Sequence, residues 1–67
     1  MIEVNVNGAA RRIEPGTDIA ALLERLQLAG KRVAVERNGE IVPRSRFAQT
    51  ALASGDRLEI VVAVGGG

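Results

Sequence analysis

The sequence contains neither cysteine nor histidine, and this limits how a chain of 67 residues can be stabilised. A domain of this size buries only about 60% of the surface that its unfolded chain exposes. Small domains therefore often depend on disulfides or a zinc ion, and both need side chains that this sequence lacks. We expect a single domain whose aliphatic core is sufficient alone, built from regular and well-packed secondary structure.

Two Asn-Gly dipeptides divide much of the chain into hairpins. Alternating apolar and polar residues run from Ile2 into Asn7-Gly8, and a shorter alternating stretch from Val33 runs into Asn38-Gly39. Asn-Gly is the strongest short-range hairpin signal, because both central positions of a type I′ turn need a positive φ. We therefore predict strands at 2–6, at roughly 9–14, at 33–36 and, ended by proline, at 40–43.

One amphipathic helix is predicted between the two hairpins. Its apolar face recurs at helical spacing and comprises Ile19, Leu22, Leu23 and Leu26. Thr17 is the expected N-cap with Asp18 in the first turn, and Gly30 is the expected stop after about three turns.

The remaining pattern places a last strand at 57–64, with Phe47 and Leu52 filling the core beneath a loop or a short helical turn. The element order predicts an α+β fold, in which a mixed sheet of four to five strands packs on one helix and contains a central parallel pair. We expect a domain at 1–64 and a flexible glycine tail at 65–67.

Composition argues against several classes of function. Nine Lys and Arg against eight Asp and Glu give a net charge of +1, which is too balanced to indicate nucleic-acid binding. No apolar segment approaches the roughly 18 residues that span a bilayer, so we expect no membrane association. The N-terminus shows no charged leader followed by an apolar stretch, so a cytoplasmic location is expected.

Catalytic side chains are also missing from the sequence. Without Cys or His there is no thiol or imidazole for nucleophilic catalysis, and the carboxylates are spread along the chain rather than paired. We therefore expect no enzyme activity, no catalytic side chain, no metal site and no bound cofactor.

The glycine tail is the unusual chemical feature of the chain. Gly65, Gly66 and Gly67 follow the last strand with no spacer. Three residues without Cβ atoms reach roughly 10 Å and fit a narrow channel, so Gly65 and Gly66 could thread the Gly67 carboxylate into a partner's active site. Attack of that carboxylate on the α-phosphate of ATP would activate it as an acyl adenylate. The alternative is a plain flexible linker.

The outward face of the last strand becomes apolar as it approaches the tail. Val61 and Ala63 follow the charged residues Arg57 and Glu59 on that face. An exposed apolar spot beside a reactive end would suit docking to a partner. Ordinary β-branched strand residues are an equally good explanation of this pattern.

Several stretches together resemble the ubiquitin-like β-grasp sulfur carriers, and most closely the ThiS family of thiamine biosynthesis. The matching stretches are VNVNG at 4–8, PGT at 15–17 before the Leu-Leu helix, VAVERNGEIVPR at 33–44, SGD at 54–56 and VGGG at 64–67. The stretch NGEIVPR is more specific than the glycine ending, which molybdopterin-type carriers and ubiquitin share.

The resemblance implies a carrier function with named partners. A ThiF-like adenylyltransferase would use ATP and Mg to adenylate Gly67, and a persulfide donor of the cysteine desulfurase or rhodanese type would convert it to a thiocarboxylate. A ThiG-like thiazole synthase would accept the sulfur for thiazole formation. Val61, Ala63 and Arg44 would contribute to docking. The alternatives are a molybdopterin- or cysteine-type sulfur carrier, a ubiquitin-like protein tag, or a β-grasp interaction module whose tail has no role.

Overall fold

The computed structural model describes residues 1–63, which form five strands, one α-helix and one 3-10 helix. The elements in chain order are β1 (Ile2–Val6), β2 (Ala9–Ile13), α1 (Ile19–Arg25), β3 (Val33–Arg37), β4 (Glu40–Val42), the 3-10 helix (Arg44–Gln49) and β5 (Arg57–Val62). None of the helices within these residues has the length and hydropathy needed to cross a bilayer.

The five strands form one mixed sheet in the order β2-β1-β5-β3-β4. β1 and β5 run parallel at the centre, while β1–β2, β3–β5 and β3–β4 are antiparallel. The sheet is thus two hairpins joined by the last strand. This architecture confirms the predicted α+β class and the mixed sheet. A central parallel pair is present, but it joins β1 and β5 rather than two strands connected by a crossover through the helix.

Both Asn-Gly turns have the predicted backbone. The φ angles are 51° at Asn7 and 88° at Gly8, and 52° at Asn38 and 86° at Gly39. Positive φ at both central positions is the requirement of a type I′ turn, whose twist matches that of the flanking strands. The turns also fix the strand registers that follow, including Glu36 opposite Ile41.

The core lies between one face of the sheet and α1. Ile19 and Leu22 of the helix are 0% and 1% exposed, and Leu58 of the central strand is 1% exposed. Phe47 of the 3-10 helix and Leu52 of the following loop are buried with them, as predicted. Burial of each such side chain contributes about 1.5–3 kcal/mol, so the aliphatic core supplies the stabilisation for which no disulfide is available.

The predicted ends of the helix are wrong at both termini. The N-cap is Asp18, whose Oδ1 accepts a hydrogen bond from the Ala21 amide at 2.8 Å, whereas the Thr17 hydroxyl donates to the Glu14 carbonyl at 2.7 Å. The helix ends at Arg25, because Gln27 takes a left-handed φ of 60°. The amides of Gln27 and Leu28 then bond back to the carbonyls of Glu24 and Leu23, which is the Schellman arrangement.

Four strand ends also differ from the prediction. β3 extends to Arg37 rather than ending at residue 36, and β4 stops at Val42 rather than Pro43. β2 stops at Ile13 rather than Glu14, and β5 stops at Val62. Val64, the predicted end of β5, lies outside the described residues, as does the predicted flexible tail at 65–67. The predicted division between a domain at 1–64 and this tail therefore stays a prediction.

Candidate functional site

Strand β5 carries the chain towards the predicted reactive glycines from the centre of the sheet. Its even-numbered residues bond towards β1: the amides of Asn5 and Asn7 donate to the carbonyls of Asp56 and Leu58, each at 2.9 Å. At its far end the Ala63 amide donates to the Arg32 carbonyl at 2.9 Å, which attaches the end of the described chain to the residue preceding β3. Gly65, Gly66 and Gly67 lie outside the described residues.

The face of the sheet opposite α1 carries an exposed apolar surface next to this end of β5. Val61 is 64% exposed, and Ala63, two residues further on the same face, is also exposed. Val61 lies opposite the exposed Ala34 of β3, and Ile41 of β4 is 75% exposed. We name Ala34, Ile41, Val61 and Ala63 the sheet patch. The face is open, as docking through Val61 and Ala63 requires.

Ile41 and Ala34 are not among the residues predicted for docking, although the Asn38-Gly39 turn indicates that both face outward. A two-residue turn at Asn38-Gly39 places Glu36 opposite Ile41 and Val35 opposite Val42. Val35 is 1% exposed, so Val42 must face the core and Ile41 must face outward. Ala34, next to Val35, faces outward by the same alternation.

Acidic residues border the sheet patch along the strands. Glu36 of β3 and Glu59 of β5 lie directly opposite each other on the outer face. Two like charges in that position repel, and this lowers the stability of the free protein slightly. Both residues line an open groove of about 810 Å³ that extends towards the two Asn-Gly turns. Arg57, which lies on the same face, also lines this groove. The outer face therefore offers apolar contact near the end of β5 and charged side chains of both signs beside it.

Arg44, the third predicted docking residue, lies on a different surface. Its side chain lines a cleft of about 410 Å³ between α1, the start of β3 and the 3-10 helix, together with Lys31 and Val33. Val33 pairs with Val62, so the cleft is close to the end of β5 but on the helix side of the sheet. The structure does not bring Arg44 together with Val61 in one patch.

Each Asn-Gly turn is bonded to β5 through its asparagine. The Asn7 side chain donates to the Ile60 carbonyl at 3.0 Å and accepts from the Ile60 amide at 2.8 Å. Asn38 accepts from the Arg57 amide through its side chain at 2.9 Å, and its own amide donates to the Arg57 carbonyl at 2.8 Å. From the sequence these asparagines are predicted to form turns only, because no local sequence pattern reveals contacts with a strand far along the chain.

Asp56 is a buried carboxylate at the start of β5, with 6% of its surface exposed. It accepts hydrogen bonds from Arg37 Nε at 2.9 Å, Asn38 Nδ2 at 3.1 Å and the Ala53 amide at 2.8 Å. Burial raises the pKa of Asp56, but these donors and the charge of Arg37 outweigh it, so the pKa lies below its ordinary value of 3.8. The ionised side chain fastens the β3–β4 hairpin to β5.

In the part of the chain that the structure describes, no three acidic side chains converge to hold a metal ion. What this part does present is a rigid strand that ends beside an open apolar face. Such an arrangement is suited to binding another protein, and Ala63, the last described residue, lies at the edge of that face.

The chain is similar over nearly its whole length to proteins of two kinds. The chain is 40% identical to the sulfur carrier protein ThiS of Bacillus subtilis over 67 residues, which is the full length of both. It is 48% identical over 62 residues to a thiazole synthase of Paramagnetospirillum magneticum, and 36% identical over 66 residues to one of Magnetococcus marinus. These two matches include 92% and 98% of this chain, but they include only 19% and 20% of the two thiazole synthases.

The fold is also that of a solved relative. The crystal structure of a thiamine biosynthesis protein (ThiS) from Geobacter metallireducens matches with a TM-score of 0.82 and 32% identity, covering 98% of this chain and all of the other. This likeness confirms the predicted β-grasp fold. The sequence pattern of the ThiS family matches residues 4–67. The chain therefore belongs to the ThiS family.

Proposed function

We propose that the carboxylate of Gly67 is the group that this protein carries between partner enzymes. A ThiF-like adenylyltransferase binds the protein with MgATP, and a Gly67 carboxylate oxygen attacks the α-phosphate, releasing pyrophosphate. A persulfide then attacks the acyl adenylate and displaces AMP, which leaves with that oxygen, so that Gly67 is joined to the donor by an acyl disulfide. A second thiol attacks the donor's sulfur and forms a disulfide with it, and the cleaved S–S bond leaves Gly67 as a thiocarboxylate. The thiocarboxylate supplies the sulfur for thiazole formation.

The observation that carries this proposal is the ThiS family match at residues 4–67, which runs through the glycines to the last residue of the chain. Full-length correspondence with the Bacillus subtilis carrier supports the same assignment of the chain end. The one buried carboxylate among the described residues, that of Asp56, is engaged in structural hydrogen bonds and is therefore not a candidate for the proposed chemistry.

We propose a ThiG-like thiazole synthase as the protein that accepts the sulfur. Support comes from the two thiazole synthases in which a segment related to this chain makes up about a fifth of the protein. A carrier-like segment joined to such an enzyme indicates that the two act on each other. A ThiF-like enzyme and a persulfide donor are proposed from the chemistry that the carboxylate needs.

The sheet patch is the surface that we propose for docking these partners. Val61 and Ile41 are 64% and 75% exposed. Packing of a partner's aliphatic side chains against them would remove this apolar surface from water, which favours binding. Glu36 and Glu59 beside them would favour a partner that places a basic side chain between the two carboxylates. Arg44 lies outside this surface and would contact a partner only where that partner also reaches the helix side.

Intact mass spectrometry tests the proposed chemistry. The protein is incubated with MgATP, a cysteine-fed persulfide donor and an extract that contains the activating enzyme. We expect a mass gain that matches one oxygen replaced by sulfur, and no gain when a residue is added after Gly67 or when Gly66 is replaced by a bulky residue. An unchanged mass, with the enzyme shown to be active on a control carrier, would refute the proposal.

Two aspartate substitutions on the outer face, one inside the sheet patch and one on the edge strand β2, test the docking surface. Val61→Asp places a charge within the sheet patch, and Ala10→Asp places the same charge on an exposed residue of the edge strand β2. We expect Val61→Asp to slow the mass gain strongly and Ala10→Asp to leave it close to that of the unchanged protein. Equal rates for the two variants would contradict docking through the patch.

A further inference from the structure

The pairing between β1 and β5 ends before β5 does. β1 stops at Val6, and its register with β5 reaches only Leu58. The backbone N–H and C=O of Ile60 point to the same side as those of Leu58, where no further residue of β1 is present. Without another partner these two groups would lose the hydrogen bonds that backbone groups of a sheet require.

The Asn7 side chain supplies both of the missing partners. Its Oδ1 accepts from the Ile60 amide at 2.8 Å and its Nδ2 donates to the Ile60 carbonyl at 3.0 Å. One amide group thus takes the place of an additional strand residue. The positive φ of 51° at Asn7 turns the side chain back towards β5, so the hairpin turn and this contact depend on the same residue.

This contact marks the point at which β5 stops being held on both sides. Up to Ile60 the strand is bonded towards β1 or Asn7 and towards β3. Beyond Ile60 the described contact is on the β3 side, where the Ala63 amide donates to the Arg32 carbonyl. We name residues 61–63 the tail root, since they connect the sheet to the glycines and include Val61 of the sheet patch.

We propose that Asn7 is a positioning residue for the carrier reaction: by fixing Ile60 it holds the tail root against β3 and sets the direction in which the chain leaves the sheet. This inference rests on the proposed function, because the direction matters only if a partner must receive the residues after Ala63. Asn7 itself touches no reacting atom.

Asn38 provides a matched control within the same protein. It occupies the same position of an equivalent turn, with φ of 52°, and its side chain also makes two hydrogen bonds, with the Arg57 amide and Asp56. Arg57 lies at the start of β5, away from the tail root. Asn7→Gly and Asn38→Gly each keep the turn conformation and remove two side-chain hydrogen bonds. Asn38→Gly should lower global stability at least as much as Asn7→Gly, because one of its lost bonds is to the Asp56 carboxylate.

Hydrogen exchange of single amides tests the structural part of the inference. The Ala63 amide is informative because neither substitution removes its acceptor, the Arg32 carbonyl. We expect Asn7→Gly to speed exchange at Ala63 by roughly five- to thirtyfold relative to Asn38→Gly, the factor expected when local stability falls by one or two ordinary hydrogen bonds. Equal exchange at Ala63 in the two variants would overturn the inference, whatever the partners do.

Steady-state kinetics of adenylation tests the functional part. With the activating enzyme and MgATP we expect Asn7→Gly to raise the KM for the carrier with little change in kcat, because a misdirected tail impairs engagement more than chemistry. Asn38→Gly should leave both values near those of the unchanged protein. Equal KM values for the two variants would show that Asn7 is only a structural residue. If the unchanged protein gains no sulfur, the proposed function fails, and the exchange at Ala63 still decides whether Asn7 holds the tail root.

Discussion

Replacing Asp56 with asparagine should destabilise the fold far more than its small change in size suggests. In the native protein Oδ2 accepts from Arg37 and from the Ala53 amide, while Oδ1 accepts from Asn38. An asparagine has one carbonyl oxygen, so it can keep the donors on one side only. Its NH₂ group would then face either the Asn38 amide or the Arg37 and Ala53 donors.

The expected loss follows from these contacts. Hydrogen bonds to a charged acceptor contribute about 1.5–3 kcal/mol each, and a buried donor left without an acceptor costs about 1–3 kcal/mol. Since such effects overlap within one network, we expect Asp56→Asn to lower the free energy of unfolding by about 2–3 kcal/mol. A 67-residue domain has a total of about 3–10 kcal/mol. The Tm should therefore fall by roughly 10–20 °C.

The effect should also depend on pH, with a sign fixed by the lowered pKa of Asp56. A carboxylate with a pKa below its ordinary value of 3.8 stabilises the native state above about pH 4, and this contribution is lost as the pH falls through the lowered pKa. The difference in stability between the unchanged protein and Asp56→Asn should therefore be full at pH 7 and should shrink below about pH 4.

Urea unfolding, followed by far-ultraviolet circular dichroism at pH 7 and again below about pH 4, measures this difference. Glu40→Gln, which neutralises an exposed carboxylate of β4, is the control for a change in net charge and should alter stability little. If Asp56→Asn and Glu40→Gln had equal effects, or if the difference between Asp56→Asn and the unchanged protein did not vary with pH, the structural role of Asp56 would be refuted.

Two further substitutions test local features by the same unfolding assay. Asp18→Ala removes the acceptor of the Ala21 amide and should lower the free energy of unfolding by about 1 kcal/mol, with no loss showing that the N-cap is dispensable. Gly39→Ala should lower it by about 1–2 kcal/mol through its φ of 86° alone, because a Cβ there would meet no atom within 4 Å. Gly39→Asn should be tolerated better than Gly39→Ala, and the reverse order would contradict the conformational explanation.

The sequence predicts well those parts of the fold that depend on residues close together in the chain. Both type I′ turns follow from Asn-Gly, and the buried face of α1 follows from the spacing of Ile19, Leu22 and Leu23. The helix ends are predicted poorly because two polar residues compete for the cap, and only the tertiary position of Thr17 decides between them. The Leu52 amide bonds to the Thr17 carbonyl, which holds that residue outside the helix.

In the candidate site, too, some features follow from local sequence patterns, whereas others depend on contacts between distant residues. Exposure of Val61 and Ala63 follows from alternation along one strand, and Ile41 could have been added from the register of a single turn. The bonds of Asn7 to Ile60 join residues 53 positions apart, and no local pattern reveals them. The position of Arg44 depends on how the 3-10 helix packs beside α1, and no local pattern in the sequence places it on the helix side of the sheet.

The place of β5 in the sheet has a consequence for biosynthesis. β5 is the last strand along the chain, and the β1–β2 and β3–β4 hairpins meet only through it. A nascent chain that has not yet released β5 from the ribosome therefore holds two separate hairpins and no complete sheet. Domains generally fold as units during synthesis, and here the unit closes only when its final strand is inserted. Partner enzymes that recognise the folded surface would consequently ignore a chain whose β5 is still inside the ribosome.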